Sequence, residues 1–355
     1  MVFLITGGSG FLGSAIVEEL LSENSLISKA EIRVLDIKSP KADWLHDISF
    51  VKGDIQNKSL VSEACKNVDV VFHTAAIIDW GTRTEKEVLD INVGGTESII
   101  AACHENNVRY LVYTSSLDAV FHGKSLRNID ESILYPQKPV NAYCKSKHQA
   151  EVLIKKANGA TLKTCILRPA DIYGENDPYH IGSLIDMAKK GIYVRLGNGK
   201  SICQHVYVRN MAHAHVLAAK ALMDQNSSVE GNVYFITDGP GENFFKFFDQ
   251  VVIGAGYTIW PKNLWLPRWL AYAMGSIAEF FAWIFSPIKK INPKFSRFAV
   301  VYTCSDFTFT AEKARKDFNY APKYSVQEAL DRTIDYYKKQ RELQYLSTSK
   351  SSKSP

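Results

Sequence analysis

Tyr143 and Lys147 form the one Tyr-x-x-x-Lys pair in the sequence. On a helix, residues four positions apart share a face, so the phenol and the ammonium would point into the same space. A free tyrosine has a pKa near ~10, which is too high for a base at neutral pH. A neighbouring ammonium stabilises the phenolate and lowers that pKa. The pair therefore predicts acid/base chemistry in which Tyr143 takes a proton from an alcohol while a hydride leaves the same carbon.

Three hydroxyl residues, Thr114, Ser115 and Ser116, follow a hydrophobic segment that has the character of a strand. In a parallel sheet, ligands bind at the carboxyl ends of the strands. A hydroxyl group there can orient a substrate oxygen and stabilise its developing charge. We assign this role to Ser116, with Ser115 and Thr114 as alternatives. A serine that caps a helix or a turn is the competing interpretation.

A glycine-rich turn lies between the first predicted strand and the first predicted helix. It satisfies both Gly-x-Gly-x-x-Gly and Gly-x-x-Gly-x-x-Gly spacing. Glycines at such a turn let the backbone approach a pyrophosphate, whose charge lies at the helix N-terminus. This position between strand and helix predicts a dinucleotide site. The residues expected to touch the dinucleotide are Gly7, Gly8, Gly10, Phe11, Leu12 and Gly13.

An acidic residue, Asp36, ends the second predicted strand. A carboxylate there can accept both ribose hydroxyls of NAD and would repel the 2′-phosphate of NADP. NAD is therefore the expected cofactor and NADP the less favoured one, although Lys38 nearby weakens the preference. Asp54 and Ile55 follow a third predicted strand and are candidates for contact with the adenine. An ordinary aspartate at a strand end is the alternative interpretation of Asp54.

Strands and helices alternate through the first half of the chain. The predicted helices include 93–105 and 143–156, and the predicted strands are 2–6, 31–36, 68–74, 109–114 and 162–167. This order predicts an α/β fold with a doubly wound parallel sheet, the Rossmann arrangement. After about residue 175 the pattern loosens. We expect a cofactor-binding and catalytic region over 1–175, a smaller substrate lobe over 176–340 and a disordered basic tail over 341–355.

The 355 residues are 46% hydrophobic, enough to bury a sizeable core. The net charge is +5, of which the stretch from Lys338 to Pro355 carries +4. A basic tail on a nearly neutral body favours an anionic membrane surface over nucleic acid, which is not an expected partner. A cleavable signal peptide would have to include the glycine turn, so a cytoplasmic location is expected, with a peripheral position on an internal membrane left open.

The metal-binding residue types are scattered. The six cysteines include no Cys-x-x-Cys, which predicts neither a disulfide framework nor a zinc site and suits a reducing compartment. His205, His213 and His215 lack neighbouring carboxylates or thiolates. These histidines are expected to be structural or to line the substrate site, and no metal ion is expected.

Residues 264–288, which we call the aromatic segment, are mostly apolar and rich in Trp and Phe. Pro267, Arg268 and Glu279 interrupt it, so a helix that spans a bilayer is a poor fit. Its tryptophans and the following lysines suit the headgroup region of a membrane: Trp265, Trp269, Trp283, Lys289 and Lys290. An entrance flap for substrate and a buried core helix remain alternatives to an interfacial anchor.

Several stretches resemble an extended short-chain dehydrogenase/reductase: 6–13, 73–76, 92–96, 113–116, 143–147 and 167–174, together with Asp36. The resemblance sharpens to the 3β-hydroxysteroid dehydrogenases and sterol-4α-carboxylate 3-dehydrogenases through 206–215, 307–309, 313–314 and the aromatic segment. One departure follows Ser116, where Leu117-Asp118 stands and relatives more often place a small residue and then Val. That departure bears on the choice among Thr114, Ser115 and Ser116.

The resemblance implies further cofactor contacts at Ala75, Ala76, Asn92, Thr114 and Pro169, with Lys147 also holding the nicotinamide ribose. It implies that NAD oxidises a 3β-hydroxy steroid or sterol to the 3-ketone. If the substrate carries a 4-carboxylate, the product is a β-keto acid that readily loses carbon dioxide. The expected partners are a hydrophobic steroid-like substrate and, as open alternatives, a membrane surface and a second copy of the chain.

Four other functions remain open. They are a reductase of another apolar ketone or long-chain 3-oxo acid, a nucleotide-sugar epimerase or dehydratase, a dehydrogenase that also isomerises the steroid double bond, and a redox-inactive dinucleotide sensor. The apolar aromatic segment counts against a sugar substrate. The Tyr143/Lys147 pair counts against a sensor without catalysis.

Overall fold

A computed structural model of the chain describes residues 1–22, 25–27, 30–79, 83–285 and 296–351. The strands, numbered along the chain, are β1 (Val2–Thr6), β2 (Glu31–Asp36), β3 (Ile48–Lys52), β4 (Val70–His73), β5 (Tyr110–Thr114), β6 (Leu126–Ile129), β7 (Lys163–Pro169), β8 (Asp171–Tyr173), β9 (Arg195–Leu196), β10 (His205–Tyr207), β11 (Val233–Ile236), β12 (Trp265–Leu266) and β13 (Phe307–Phe309).

The helices lie between and after these strands. They are α1 (Phe11–Leu21), α2 (Lys58–Cys65), α3 (Glu85–Leu89), α4 (Gly95–Glu105), α5 (Ala142–Ala157), α6 (His180–Lys189), α7 (Val208–Met223), α8 (Phe244–Gly254), α9 (Arg268–Phe285), α10 (Arg297–Thr303), α11 (Glu312–Phe318) and α12 (Val326–Ser351).

The main sheet has seven parallel strands in the order β11-β7-β5-β4-β1-β2-β3. The chain runs outward from β1 to β3, then returns to the other side of β1 and runs outward again. This reversal places a crevice at the carboxyl ends of β1 and β4, where open α/β sheets bind their ligands. The doubly wound parallel sheet predicted from the alternation of strands and helices is confirmed.

Two hydrophobic cores cover the two faces of the sheet. Phe3 and Ile5 of β1 pack with α1 and α7 on one face. Leu4, between them in sequence, belongs to the core formed with α2, α4 and α5 on the other face. Alternate side chains of a strand point to opposite faces, so both faces of the short apolar strands are buried. That burial fixes the positions of the strand ends that carry the site.

The second half of the chain is not a separate lobe throughout. Strand β11 extends the main sheet beside β7, and α7 packs on α1. All four residues of β11 are buried, which accounts for its place in the sheet rather than on a surface lobe. The other late strands form two-stranded pairs, β8 with β10, β9 with β12 and β6 with β13. The last of these pairs joins the C-terminal part of the chain to the region before α5.

The end of the chain differs from the expected disorder over 341–355. Helix α12 continues to Ser351, so 341–351 are helical, while 352–355 lie outside the described residues. Arg341 lies over the ring of Tyr257, and Lys189 donates a hydrogen bond to Gln344. These contacts with the body of the molecule stabilise helix that the local composition alone does not require.

The aromatic segment forms β12 and then α9, while 286–288, Lys289, Lys290 and the Trp283 side chain lie outside the described part. Helix α9 packs on α10, and Glu279 accepts hydrogen bonds from the backbone N–H and the Nε of Arg297. Gly275 allows this approach, since a Cβ there would lie 3.0 Å from the nitrogen of Arg297. Within the described ranges, no helix combines the length and the apolar character needed to cross a bilayer.

The three histidines noted in the sequence have structural partners. His213 Nδ1 lies 2.9 Å from Glu19, and His215 Nδ1 donates to the carbonyl of Met211 at 2.8 Å. His205 stacks on Phe247 at 4.1 Å between ring centres. In the part of the chain that the structure describes, no three His, Cys, Asp or Glu side chains are grouped so that they could hold a metal ion.

Candidate active site

The glycine turn folds back tightly on itself between β1 and α1. Gly7 has a φ of +71°, and its carbonyl accepts the N–H of Gly10 at 2.9 Å. A Cβ on Gly13 would lie 2.1 Å from that same carbonyl oxygen, so only glycine fits there. Gly8 serves a different contact, because a Cβ there would lie 2.8 Å from the side chain of Val34. The turn thus brings backbone amides to the helix N-terminus, an arrangement that suits a pyrophosphate.

A cleft of about 660 Å³ runs from this turn across the carboxyl ends of the strands to α5. Most of the residues chosen from the sequence line it: Gly7, Gly10, Phe11, Leu12, Gly13, Asp36, Asp54, Ile55, Ala75, Ala76, Thr114, Ser116, Tyr143, Lys147 and Pro169. Gly8 and Asn92 do not belong to this lining. The fold therefore brings together residues from positions 7 to 169 of the sequence in one continuous space.

Asn92 supports the cleft wall by hydrogen bonds, although it is not part of the lining. It lies in a π-helical turn over Asp90–Gly94 that leads into α4. Its side-chain oxygen accepts the N–H of Ile77 at 2.8 Å, and its amide donates to the carbonyl of Ile77 and to Ser146. The segment after β4, which carries Ala75 and Ala76, is thereby tied to α5. The irregular turn aims this side chain where a regular helix would not.

Asp36 lines the cleft beside the glycine turn. Its carboxylate accepts the backbone N–H of Ser9 at 3.0 Å and that of Lys38 at 2.9 Å. The first bond joins the end of β2 to the glycine turn. The Lys38 side chain also lines the cleft, so an ammonium and a carboxylate face the same region.

Tyr143 and Lys147 lie on the buried face of α5, whose N-terminus is capped by the Asn141 side chain. Lys147 Nζ donates to the Thr114 carbonyl at 2.9 Å and lies 3.4 Å from the Tyr113 hydroxyl. Burial lowers the pKa of Lys147 to about 8. Burial, with Asp118 and Tyr113 nearby, raises the pKa of Tyr143 well above its ordinary value, and a hydrogen bond with Ser116 opposes this rise.

The three hydroxyl residues after β5 face different partners. Thr114 donates to Nε2 of His215 at 2.7 Å, because Nδ1 of that ring is the donor to Met211. Ser115 donates to the buried Glu151 carboxylate. Ser116 donates to Asp118, and it is the one of the three that lowers the pKa of Tyr143 against the effect of burial. The choice of Ser116 over Thr114 and Ser115 stays a prediction.

Glu151 and Arg168 form a buried ion pair beneath the site. Arg168 Nε and Nη2 donate to the two carboxylate oxygens at 2.9 and 2.7 Å. Arg168 also lies over the rings of Tyr135 and Phe235. The Arg168 guanidinium and the Ser115 and Tyr135 hydroxyls outweigh burial and lower the pKa of Glu151. This pair joins α5 to β7. Through the hydrogen bond from Ser115 to Glu151, it also holds the backbone that carries Ser115 and Ser116.

Asp118 was not selected from the sequence, although it stands two residues after Ser116. It lies in a turn of 3₁₀ helix over Leu117–Ala119, and its carboxylate accepts the Ser116 hydroxyl at 2.7 Å. Cys144 Sγ lies 3.8 Å from its second oxygen. Burial, together with the charge of Asp171, raises the pKa of Asp118 to about 6.

The rest of the cleft lining is mixed in character. Its apolar residues include Ile77, Ile78, Leu117, Ile172 and Phe298, and its polar residues include Asp118, Asp171, Tyr179, His180 and Tyr302. Tyr302 donates to Asp171 at 2.5 Å across 131 positions of sequence. Position next to a motif could have indicated Asp118 and Asp171. No local pattern marks Tyr302 or Phe298, because α10 reaches the cleft only through the tertiary fold.

Comparisons with known proteins agree with this arrangement. A model of the 3-beta hydroxysteroid dehydrogenase/isomerase family matches residues 4–267. Short-chain dehydrogenase/reductase family 42E member 1 of Xenopus laevis is 34% identical over 90% of this chain and 84% of its own length. The mouse (Mus musculus) sterol-4-alpha-carboxylate 3-dehydrogenase, decarboxylating, is 31% identical over 94% and 90%. The 3 beta-hydroxysteroid dehydrogenase/Delta 5-->4-isomerase of vaccinia virus (strain Ankara) is 33% identical over 94% and 97%.

Solved structures share the fold at lower identity. The UDP-glucose 4-epimerase of Thermotoga maritima superimposes with a TM-score of 0.72 at 21% identity, covering 96% of this chain and 99% of its own. A dTDP-glucose 4,6-dehydratase of Streptomyces venezuelae gives 0.75 at 20% identity over 97% and 98%. These likenesses extend over the whole sheet and the C-terminal region. The chain belongs to the 3-beta hydroxysteroid dehydrogenase/isomerase family, a branch of the extended short-chain dehydrogenases/reductases, and is an NAD(P)-dependent oxidoreductase that acts on CH–OH groups.

Proposed function

We propose that this protein oxidises the 3β-hydroxyl group of a steroid or sterol to the 3-ketone and that NAD accepts the hydride. The observation that carries the proposal is the position of Tyr143, Ser116 and Lys147. They line one cleft together with the glycine turn and with apolar residues that include Ile172 and Phe298. A dinucleotide and a flat hydrophobic alcohol would meet at these three side chains.

Each of the three side chains has a separate role in the proposed reaction. Tyr143 accepts the alcohol proton as the hydride leaves and returns a proton in the reverse direction. Lys147, held by the Thr114 carbonyl, brings a positive charge to the cleft and binds the nicotinamide ribose. Ser116 orients the substrate oxygen and stabilises the charge that develops on it. Thr114 and Ser115 hold the backbone that carries this serine.

The residues present fit a dinucleotide. The glycine turn leaves no room for a Cβ at Gly13, and it presents the N-terminus of α1 to the groove. Asp36 would accept the ribose hydroxyls, which favours NAD over NADP. When bound, the nicotinamide supplies the hydride acceptor. Asp54 and Ile55 would lie beside the adenine, and Ala75, Ala76 and Pro169 along the cofactor.

A 4-carboxysterol, with loss of carbon dioxide after oxidation, is the second candidate substrate. Arg83 lines the cleft and is the cation that would hold such a carboxylate. Asp118 and Asp171 line the same end and would repel it. The balance between these charges favours a neutral 3β-hydroxysteroid, and the name of the mouse relative keeps the carboxylated sterol under consideration.

We also propose that α9 rests on a membrane surface. Trp269, Met274 and Ile277 are 72%, 48% and 56% exposed, whereas Gly275 and Glu279 of the same helix meet Arg297. A nearly insoluble substrate is best collected where the protein touches a bilayer. The proposed location is therefore the cytoplasmic side of an internal membrane, with a homodimer as the proposed assembly.

One panel of assays tests the function. Purified protein with NAD or NADP is offered a neutral 3β-hydroxysteroid, a 3β-hydroxy-4-carboxysterol and a nucleotide sugar. We expect NADH and a 3-ketone from the neutral steroid. Carbon dioxide from the second substrate alone would favour the decarboxylating alternative, and a conjugated enone would reveal isomerase activity. Turnover of the sugar without the steroids would contradict the proposal.

A further inference from the structure

Asp118 is a buried carboxyl group that none of the roles above uses. Its backbone N–H donates to Ser116 Oγ at 3.1 Å, and its carboxylate accepts the hydrogen of that same hydroxyl at 2.7 Å. The side chain lines the cleft together with Ser116 and Tyr143. Asp118 therefore fixes two of the three hydrogen-bonding positions of the serine hydroxyl, which has one donor and two acceptor positions.

We propose that Asp118 is a positioning residue that sets the direction of the Ser116 hydroxyl, and that its protonation releases the Ser116 hydrogen for the substrate oxygen. The inference rests on the proposed function, since only an alcohol or a ketone at Ser116 would sense this direction. No covalent bond of Ser116 changes. The only exchange is one proton between the Asp118 carboxyl and water.

The hydrogen-bond count gives two complementary states. With Asp118 ionised, Ser116 gives its proton to the carboxylate and accepts the Asp118 N–H, so the serine proton is not available to a substrate oxygen. With Asp118 protonated, the carboxyl can donate to Ser116, both lone pairs are occupied, and the serine proton is free for a ketone oxygen. Only in the second state can Ser116 donate to the substrate oxygen, which is the role that the proposed reaction gives it.

The surroundings of Asp118 allow both states near neutral pH. From α5 it faces Tyr143, Cys144 and Lys147, from β8 Asp171, from α10 Tyr302, and from its own turn Ser116. Burial and Asp171 raise the pKa of Asp118 to about 6, while Ser116, Cys144 and Lys147 oppose the rise. One oxygen of Asp171 is buried without a hydrogen-bond partner among the described residues, and the other accepts the Tyr302 hydroxyl.

Ketone reduction gives the clearest kinetic test. The pKa of Tyr143 lies well above neutrality, so the phenol stays protonated across the acidic range, and Lys147 titrates only near pH 8. Between about pH 5 and about pH 7, kcat/KM for reduction of the 3-ketosteroid by NADH should fall by about tenfold, the effect of losing one hydrogen bond to the ketone. The midpoint should lie near 6.

Three substitutions separate this role from a structural one. Asp118→Asn removes the ionisable carboxyl group, so the fall in kcat/KM near pH 6 should disappear. Asp171→Asn removes a neighbouring negative charge and should move the midpoint to lower pH. Asp130→Asn, at an exposed aspartate, is the matched control and should leave it unchanged. A wild-type profile that is flat in this range, or an Asp118→Asn enzyme that keeps the midpoint, would overturn the proposal.

Infrared difference spectroscopy tests the same pair without turnover. Titration of the wild-type protein should show a carboxylic acid C=O band that disappears near pH 6 and is missing in Asp118→Asn. Ser116→Ala removes a bond that lowers the pKa of Asp118, so its band should persist to higher pH. If the C=O band of Ser116→Ala disappears at the same pH as in the wild type, the proposal is overturned. Absence of steroid turnover with this titration present would contradict the proposed function alone.

Discussion

Burial on α5 moves the pKa values of Tyr143 and Lys147 in opposite directions. It raises the pKa of the phenol and lowers that of the ammonium to about 8, because each charged form is disfavoured away from water. The sequence alone suggested that Lys147 would lower the pKa of Tyr143. In the structure Asp118 and Tyr113 add to the effect of burial, and the Ser116 hydroxyl is the group that opposes it.

Removal of the phenol oxygen tests the proton-transfer role of Tyr143. Tyr143→Phe should reduce turnover by at least about a hundredfold, because general acid/base catalysis contributes on that scale. NAD binding should remain near the wild-type value, measured by quenching of protein fluorescence. Tyr135→Phe, which removes a phenol that donates to Glu151 instead, is the comparison variant. Residual turnover close to wild type in Tyr143→Phe would remove Tyr143 from the proposed role.

Cofactor preference depends on the charge of Asp36. NAD should exceed NADP by at least about tenfold in kcat/KM, because the 2′-phosphate would face the carboxylate. Asp36→Asn keeps an oxygen for the Ser9 N–H and removes the charge, so it should lower the ratio of kcat/KM with NAD to kcat/KM with NADP. Asp54→Asn, at the neighbouring strand end, should leave the ratio unchanged. Equal kcat/KM for the two cofactors in the wild type would refute the assignment.

Local and distant residues differ in how well a sequence indicates them. The glycine turn, Tyr143 and Lys147 belong to short motifs whose spacing carries their geometry. The choice among Thr114, Ser115 and Ser116 could not be made locally, because it depends on His215, 101 positions away from Thr114, and on Glu151. Tyr302 could not be found at all, since it reaches the cleft from α10.

At the scale of elements, the alternation of short apolar strands with helices indicated the main sheet as far as β7. It missed β11, a four-residue strand that follows α7. Its buried Val-Tyr-Phe-Ile run pairs with β7 through contacts distant in sequence. Local periodicity describes a strand but does not specify which edge it joins. The helical continuation of α12 was missed for the same reason, as its contacts with Tyr257 and Lys189 are tertiary.

The junction of α5 and β7 depends on the Glu151–Arg168 pair. Both side chains are almost fully buried, so an unpaired partner would remain as a charge in the core. Glu151→Gln should lower the free energy of unfolding by about 3–5 kcal/mol. Glu312→Gln, in the exposed pair with Arg315, should change it by less than about 1 kcal/mol. Urea denaturation followed by circular dichroism measures both, and equal midpoints for the two variants would contradict the prediction.

At the scale of the whole molecule, apolar exposure is concentrated on α9. The exposed apolar residues of this helix include Trp269, Tyr272, Met274, Ile277 and Ile284. A contiguous apolar surface of this kind marks a site of interaction. Exposed Arg268 at the start of the helix would face anionic headgroups. Tryptophan and basic residues together suit the interfacial region of a bilayer.

Liposome sedimentation tests whether that surface is a bilayer. Burial of two or three of these side chains in the interface would contribute a few kcal/mol, at about 25 cal/mol per Å² of apolar area. Each nearby basic residue would add roughly 1 kcal/mol on an anionic surface. That sum supports reversible association. The wild-type protein should therefore sediment with vesicles that contain anionic lipid, and should be released as the salt concentration rises.

Polar substitution on the exposed face should separate membrane contact from packing. The triple variant Trp269→Ser, Met274→Ser and Ile277→Ser should remain in the supernatant. It should still bind NAD and should unfold with the same urea midpoint as the wild type. Leu134→Ser, at an apolar residue that is 85% exposed elsewhere, is the matched control and should sediment like the wild type. If the three side chains instead pack within the folded protein, the triple variant will unfold at lower urea, and the wild type will stay in the supernatant with every vesicle composition.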